Sequence, residues 1–228
     1  METHIGRALS DEHGSPPPQP ALRVVGLEKR FRHGIWPWRR DLAVLRGASL
    51  DVGRGELVGL VGENGSGKST LMKIVVGLLE RDAGSVERGG ALGYCPQVPL
   101  VWEKLTVAEH FELFARAYGL DEGRAAGSAD RLLDELRFAR YRDYRVERLS
   151  GGTRQKLNLA LALMHEPDLL LLDEPYAGFD WETYLRFWDL SARLRDDGTG
   201  ILIVSHFLSE RERLDRVFEL REGRTAES

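Results

Sequence analysis

The sequence predicts an α/β fold with a mostly parallel sheet, and three observations carry that prediction. A glycine-rich loop lies directly between an apolar strand and a helix, at residues 57–79. Two short, fully apolar runs follow at residues 169–172 and 201–204. A helical segment at residues 181–195 joins those runs, the order expected of strand, crossover helix and parallel strand.

Taken in chain order, residues 1–20 are polar and end in Pro16, Pro17, Pro18 and Pro20, which disfavours helix and central strand. A disordered tail is expected there. Apolar runs at 22–25, 43–45 and 56–61 are divided by glycine and charge, which predicts a strand-rich opening. Residues 34–41 interrupt it with Trp36, Trp38, Arg39 and Arg40, a composition suited to a hairpin tip or to an interface with protein or lipid headgroups. Helices are expected at 69–79, 106–118, 128–137 and 155–164, the second with Val107, His110, Phe111 and Phe114 on one face.

Composition narrows the function. The 228 residues carry a formal net charge of -4, so there is no global basic field of the kind that drives nucleic-acid binding. The single cysteine, Cys95, excludes an internal disulfide framework and reads as a small buried hydrophobe. The richest apolar region, residues 157–172, is broken by His165, Glu166, Pro167 and Asp168 and falls short of the ~20 residues that span a bilayer. The N-terminus lacks a basic start followed by an apolar block, so a cytoplasmic location is expected.

The loop Gly62-Glu63-Asn64-Gly65-Ser66-Gly67-Lys68-Ser69, followed by Thr70, fits G-x-x-x-x-G-K-[ST]. Its glycines permit a tight path that turns amide N–H groups toward phosphate oxygens. Lys68 brings a positive charge to the β and γ phosphates, and the Ser69 hydroxyl is suited to Mg²⁺. Asp173 and Glu174 follow the apolar run at 169–172, at the strand end where open α/β sheets place their ligand crevice. Asp173 is expected to hold the metal and Glu174 to orient or deprotonate the attacking water.

Leu149-Ser150-Gly151-Gly152-Thr153-Arg154-Gln155-Lys156 resembles the signature motif of ATP-binding cassette (ABC) proteins. The likeness runs from about Leu22 to Leu220 and takes in Gln97, similar to the Q-loop glutamine, Asp180 in a segment like the D-loop, and His206, similar to the switch histidine. It implies a P-loop NTPase core with an antiparallel β subdomain and a helical subdomain at about 98–155, in a cassette domain covering 21–228. It also implies a head-to-tail dimer, homomeric or heteromeric, in which ATP at one phosphate loop is completed by Ser150, Gly151 and Gly152 of a second subunit. By the same resemblance Gln97 contacts metal and water, His206 bonds the γ phosphate, Asp180 communicates across the dimer and Phe31 stacks on adenine. Thr153 stands where the family usually has glutamine, and Tyr176-Ala177-Gly178-Phe179-Asp180 departs from the commoner serine-containing D-loop.

Residues 102–120 resemble the helical subdomain entry in cassettes of drug, lipid and polysaccharide exporters. The expected function is the Mg-ATP-hydrolysing subunit of an exporter-type (ABC-2-like) transporter, peripheral on the inner face of the cell membrane and working with a separate permease. The alternative is a cassette ATPase acting on ribosomes or DNA; no direct nucleic-acid contact is expected in the leading reading.

Overall fold

The computed structural model describes residues 19–33, 40–205 and 208–228. The expected tail up to Pro18, the Trp36 and Trp38 insert, and His206 lie outside the described residues. The chain opens with two long antiparallel strands, β1 (Leu22–His33) and β2 (Arg40–Val52), then β3 (Leu57–Val61) and helix α1 (Lys68–Val75). Strands β4 (Ala83–Arg88) and β5 (Leu92–Cys95) precede helices α2 (Val107–Tyr118), α3 (Glu122–Glu135) and α4 (Gly151–Leu163). Then come β6 (Leu169–Asp173), α5 (Trp181–Asp196), β7 (Gly200–Val204), β8 (Arg216–Arg221) and β9 (Arg224–Glu227).

Two sheets result. One is antiparallel in the order β2-β1-β4; the other runs β5-β6-β7-β3-β8-β9, parallel except for its last strand. The apolar runs are explained by burial on both faces. Leu170 and Leu172 of β6, with Ile201 and Ile203 of β7, join a core shared with the helices α2 to α5. Their alternate neighbours Leu169, Leu171, Leu202 and Val204 join a second core with α1, β1 and β2. A strand between two cores has no solvent face, so period-two patterning vanishes.

Several boundaries differ from expectation, each for a local reason. Helix α1 ends at Val75 rather than Leu79 because Gly77 takes φ 85°. Its N–H and that of Leu78 then bond back to the Ile74 and Lys73 carbonyls, closing the helix end. Helix α3 starts at Glu122, six residues before the expected 128, since Asp121 caps it by accepting from the Arg124 N–H. Helix α4 begins at Gly151 rather than Gln155, with Ser150 as its cap. Strand β4 is exposed or half-buried along its length, so its side chains carry no apolar alternation to read.

His110 is fully buried on the inner face of α2. Its Nε2 accepts from the Trp102 N–H at 2.8 Å and its Nδ1 donates to the Thr106 carbonyl at 2.7 Å, so the ring is held neutral. Burial pushes its pKa below the ordinary 6.5, and burial does the same to His165. Below that value the unfolded chain binds protons that the folded chain refuses, so stability must fall as pH is lowered. Urea unfolding should therefore show a loss between about pH 6.5 and 5.5, at most about 1.4 kcal/mol per histidine per pH unit. Asp168, whose pKa is lowered by the Ala91 N–H and Arg54, titrates below its ordinary 3.8 and stays outside that window. Equal stability at the two pH values would remove the buried-histidine account.

Candidate functional site

Strands β5, β6, β7 and β3 are parallel neighbours, so their C-terminal ends share one edge of the sheet. Four chain segments leave from that edge: the loop 62–67 after β3, Gln97 after β5, Glu174 after β6, and Ser205 leading toward His206 after β7. The topology thus collects residues from four distant stretches of sequence on a single rim.

The loop turns on glycine conformations that side chains rarely adopt, with φ 81° at Gly65 and 109° at Gly67. At Gly67 a Cβ would meet Val44 Cγ1 at 3.0 Å and Leu45 Cδ2 at 3.1 Å, so β2 packs against the loop's base. At Gly62 it would meet the Leu220 carbonyl oxygen at 2.4 Å, which leaves no room for any side chain. Helix α1 then starts at Lys68, and the first amide groups of a helix have no acceptor within it. Ser66 Oγ is buried without a hydrogen-bond partner at this same turn. Orphaned donors at a helix N-terminus, beside an ammonium group, fit a phosphate.

Lys68 is 5% exposed, and its Nζ donates to the carbonyls of Gly62 at 2.6 Å and Glu63 at 3.0 Å. Burial lowers its pKa, while Glu174 and Asp173 act in the opposite direction. The ammonium is therefore tied to the loop while feeling both carboxylates across the rim. Asp173, the last residue of β6, is 3% exposed. Glu174 follows with φ 50° immediately before Pro175, a conformation that is costly for a residue with a Cβ. Its N–H donates to the Val204 carbonyl at 3.0 Å and its Oε2 accepts from Gln97 Nε2 at 3.0 Å. Strain held in place by the neighbouring strand turns this one side chain toward Gln97.

The oxygen donors of Ser69, Asp173 and Gln97 match the preference of Mg²⁺, which takes one or two carboxylates and completes its shell with water and phosphate. Ser69, in the first turn of α1, is exposed, as are Glu63, Asn64 and Gly65; Thr70 is half-buried. Among the described residues no cluster of three or more His, Cys, Asp or Glu side chains could hold a metal by itself.

The signature residues have other neighbours. Ser150 Oγ accepts from the Thr153 N–H at 3.2 Å and lies 2.9 Å from Thr153 Oγ1. A Cβ on Gly152 would fall 2.2 Å from the Gly178 carbonyl oxygen, so α4 abuts the segment before α5 backbone to backbone. Gly151 faces open space. Asp180 caps α5 by accepting from the Thr183 N–H at 2.8 Å, and Lys156 Nζ stands 3.7 Å from its Oδ2. Among the described contacts, Ser150, Gly151, Gly152 and Asp180 form one unit within the chain and none touches the phosphate loop. Phe31 is half-buried near the end of β1, outside both cores, with Lys29 Nζ 5.7 Å from its ring centre.

Glu210, which sequence patterning passes over, completes the region by bonding to Tyr176 beside Ser205. No local signal marks it, because its burial comes from Tyr176 and Tyr184, far away in sequence.

Fold and rim together define an ATP-binding cassette ATPase. Residues 45–177 match the ABC transporter family, and the chain belongs to it. An uncharacterized ABC transporter ATP-binding protein of Methanocaldococcus jannaschii is 32% identical over 90% of this chain and 76% of its own length. Nod factor export ATP-binding protein I of Burkholderia lata is 36% identical over 87% of this chain and 67% of its own. Human ATP-binding cassette sub-family A member 10 is 34% identical over 85% of this chain, which spans 14% of that protein's length. A solved ATP-binding subunit of an ABC transporter superposes with TM-score 0.82 at 31% identity, over 91% of this chain and 89% of its own. A dimeric, post-hydrolysis cassette bound to ADP and phosphate has the same fold, with TM-score 0.82 at 23% identity over 91% of this chain and 97% of its own.

Proposed function

We propose that this chain hydrolyses ATP as a dimer and drives a separate membrane permease, in the direction of export. The observation that carries the chemistry is the rim, where the Gly62 and Glu63 carbonyls hold the Lys68 ammonium and Gln97 bonds Glu174. Mg-ATP supplies the phosphoryl group and the metal's charge when bound. Lys68 and the amide groups at the start of α1 bind and orient the phosphates. Ser69, Asp173 and Gln97 would provide the metal's oxygen ligands. Glu174, its backbone held by Val204, orients a water molecule and takes its proton. By the family resemblance, His206 would contact the γ phosphate and Phe31 would stack on the base. Residues at about 98–155 act as the helical subdomain.

Dimerisation is supported by the chain's own geometry. Ser150, Gly151 and Gly152 open a helix whose N-terminus suits phosphate, yet their described contacts lie on Gly178 and Thr153. A second subunit would bring that N-terminus to the phosphate loop. That solved cassettes of the same fold are dimeric supports association of two subunits, and the export-named relative in Burkholderia supports the direction. Among the described residues no helix is long and apolar enough to cross a membrane. The reading places the subunit in the cytoplasm, against the inner face of the membrane. Affinity capture of the tagged chain from cross-linked cells should recover a polytopic membrane protein together with the cassette. Recovery of ribosomal proteins or DNA in its place would overturn the transport assignment.

A further inference from the structure

Glu210 is 6% exposed, and a buried carboxylate is costly unless hydrogen bonds replace its water. Three hydroxyl groups surround it. Tyr176 donates to Oε2, Ser205 Oγ lies 3.2 Å from the same oxygen, and Tyr184 donates to Oε1 at 3.1 Å. Tyr176 and Ser205 are also 2.8 Å apart, which closes a compact network. Packing against Phe187 and Trp188, with ring centres 5.4 and 6.0 Å away, fixes the Tyr176 ring. Burial, reinforced by Glu210, pushes the Tyr176 phenol well above its ordinary range, so it stays a donor.

The partners sit at telling places in the chain. Tyr176 is the second residue after Glu174, Ser205 directly precedes His206, and Tyr184 lies one helical turn beyond Asp180. Tyr184 also stacks on Trp181, ring centres 5.5 Å apart, and Trp181 is 71% exposed on the surface that Asp180 shares. One carboxylate therefore ties Ser205, at the end of β7, to the segments carrying Glu174 and Asp180. An apolar side chain could fill the same space without linking them.

We propose that Glu210 is a positioning residue, which holds the Glu174 segment in register with Ser205 at the end of β7 and connects them through Tyr184 to the surface at Trp181 and Asp180. The inference rests on the functional reading above. It acts on geometry, and small misplacements of reacting groups cost rate far more than binding.

The test is steady-state phosphate release by the full chain, expressed per nucleotide-binding site, for Glu210→Gln, Tyr176→Phe and the double variant. Glu210→Gln keeps the shape but turns an amide N–H₂ toward one hydroxyl. It should lower kcat about tenfold while KM for ATP stays within about twofold. The double variant should be no slower than the slower single variant, because both break the same link. A kcat per site within about twofold of the parent, or losses that multiply in the double variant, would overturn the proposal. Should Glu210→Gln not fold, Tyr176→Phe alone, which deletes one oxygen, must still show the kcat loss with KM retained. Glu174→Gln, run in parallel, separates the two levels: if it retains turnover, the role of Glu174 as the water-activating residue, on which this proposal rests, fails whatever Glu210 does.

Discussion

Replacing Glu174 with glutamine should lower phosphate release by about 10²–10⁴-fold, the usual contribution of a positioned general base, while nucleotide binding persists. The amide is nearly isosteric and can still accept the 3.0 Å bond from Gln97 Nε2, so the rim keeps its shape. What is lost is the ability to take a proton from water. Nucleotide should then remain trapped, and a dimer that is transient in the parent should accumulate with ATP in size-exclusion chromatography. Turnover within tenfold of the parent would remove Glu174 from the role of base. A variant that neither turns over nor forms a dimer with ATP would count against the motor assignment as a whole.

The second large effect is expected at Lys68. Lys68→Ala removes a buried ammonium whose charged hydrogen bonds are worth about 1.5–3 kcal/mol each, so ATP affinity should fall about a hundredfold by equilibrium titration. Gly62 and Glu63 lose their partner as well, which makes the unfolding midpoint a necessary companion measurement. Arginine should not rescue binding, because its broad planar fork does not match a point charge seated between two carbonyl groups. Unchanged ATP affinity in a folded Lys68→Ala variant would exclude the loop as the phosphate site. The two substitutions thus divide the site, with Lys68 needed to bind and Glu174 needed to turn over.

Much of the architecture is local and was legible. The phosphate loop announces itself because glycine is required where the chain adopts φ 81° and 109°. β6 and β7 are readable as continuous apolar runs because both of their faces are buried. Other parts escape such reading. β4 lies exposed on one edge of the antiparallel sheet, where backbone pairing with β1 rather than side-chain patterning makes it a strand. α3 extends back to Asp121 through residues that carry little apolar signal, because a side-chain cap and not a buried stripe sets its start.

By itself the sequence determined the α/β class, the phosphate loop, the acidic pair at a strand end and the motif order that resembles an ATP-binding cassette. These follow from short-range rules: backbone freedom at glycine, the burial of apolar runs, and residue types at fixed spacing. Only the tertiary structure decided that Gln97 meets Glu174, that Gly152 abuts Gly178 with no room for a methyl group, and that Glu210 is buried under Tyr176 and Tyr184. Those contacts join residues 26 to 77 positions apart, and their energy depends on distance and desolvation, which a linear pattern does not encode.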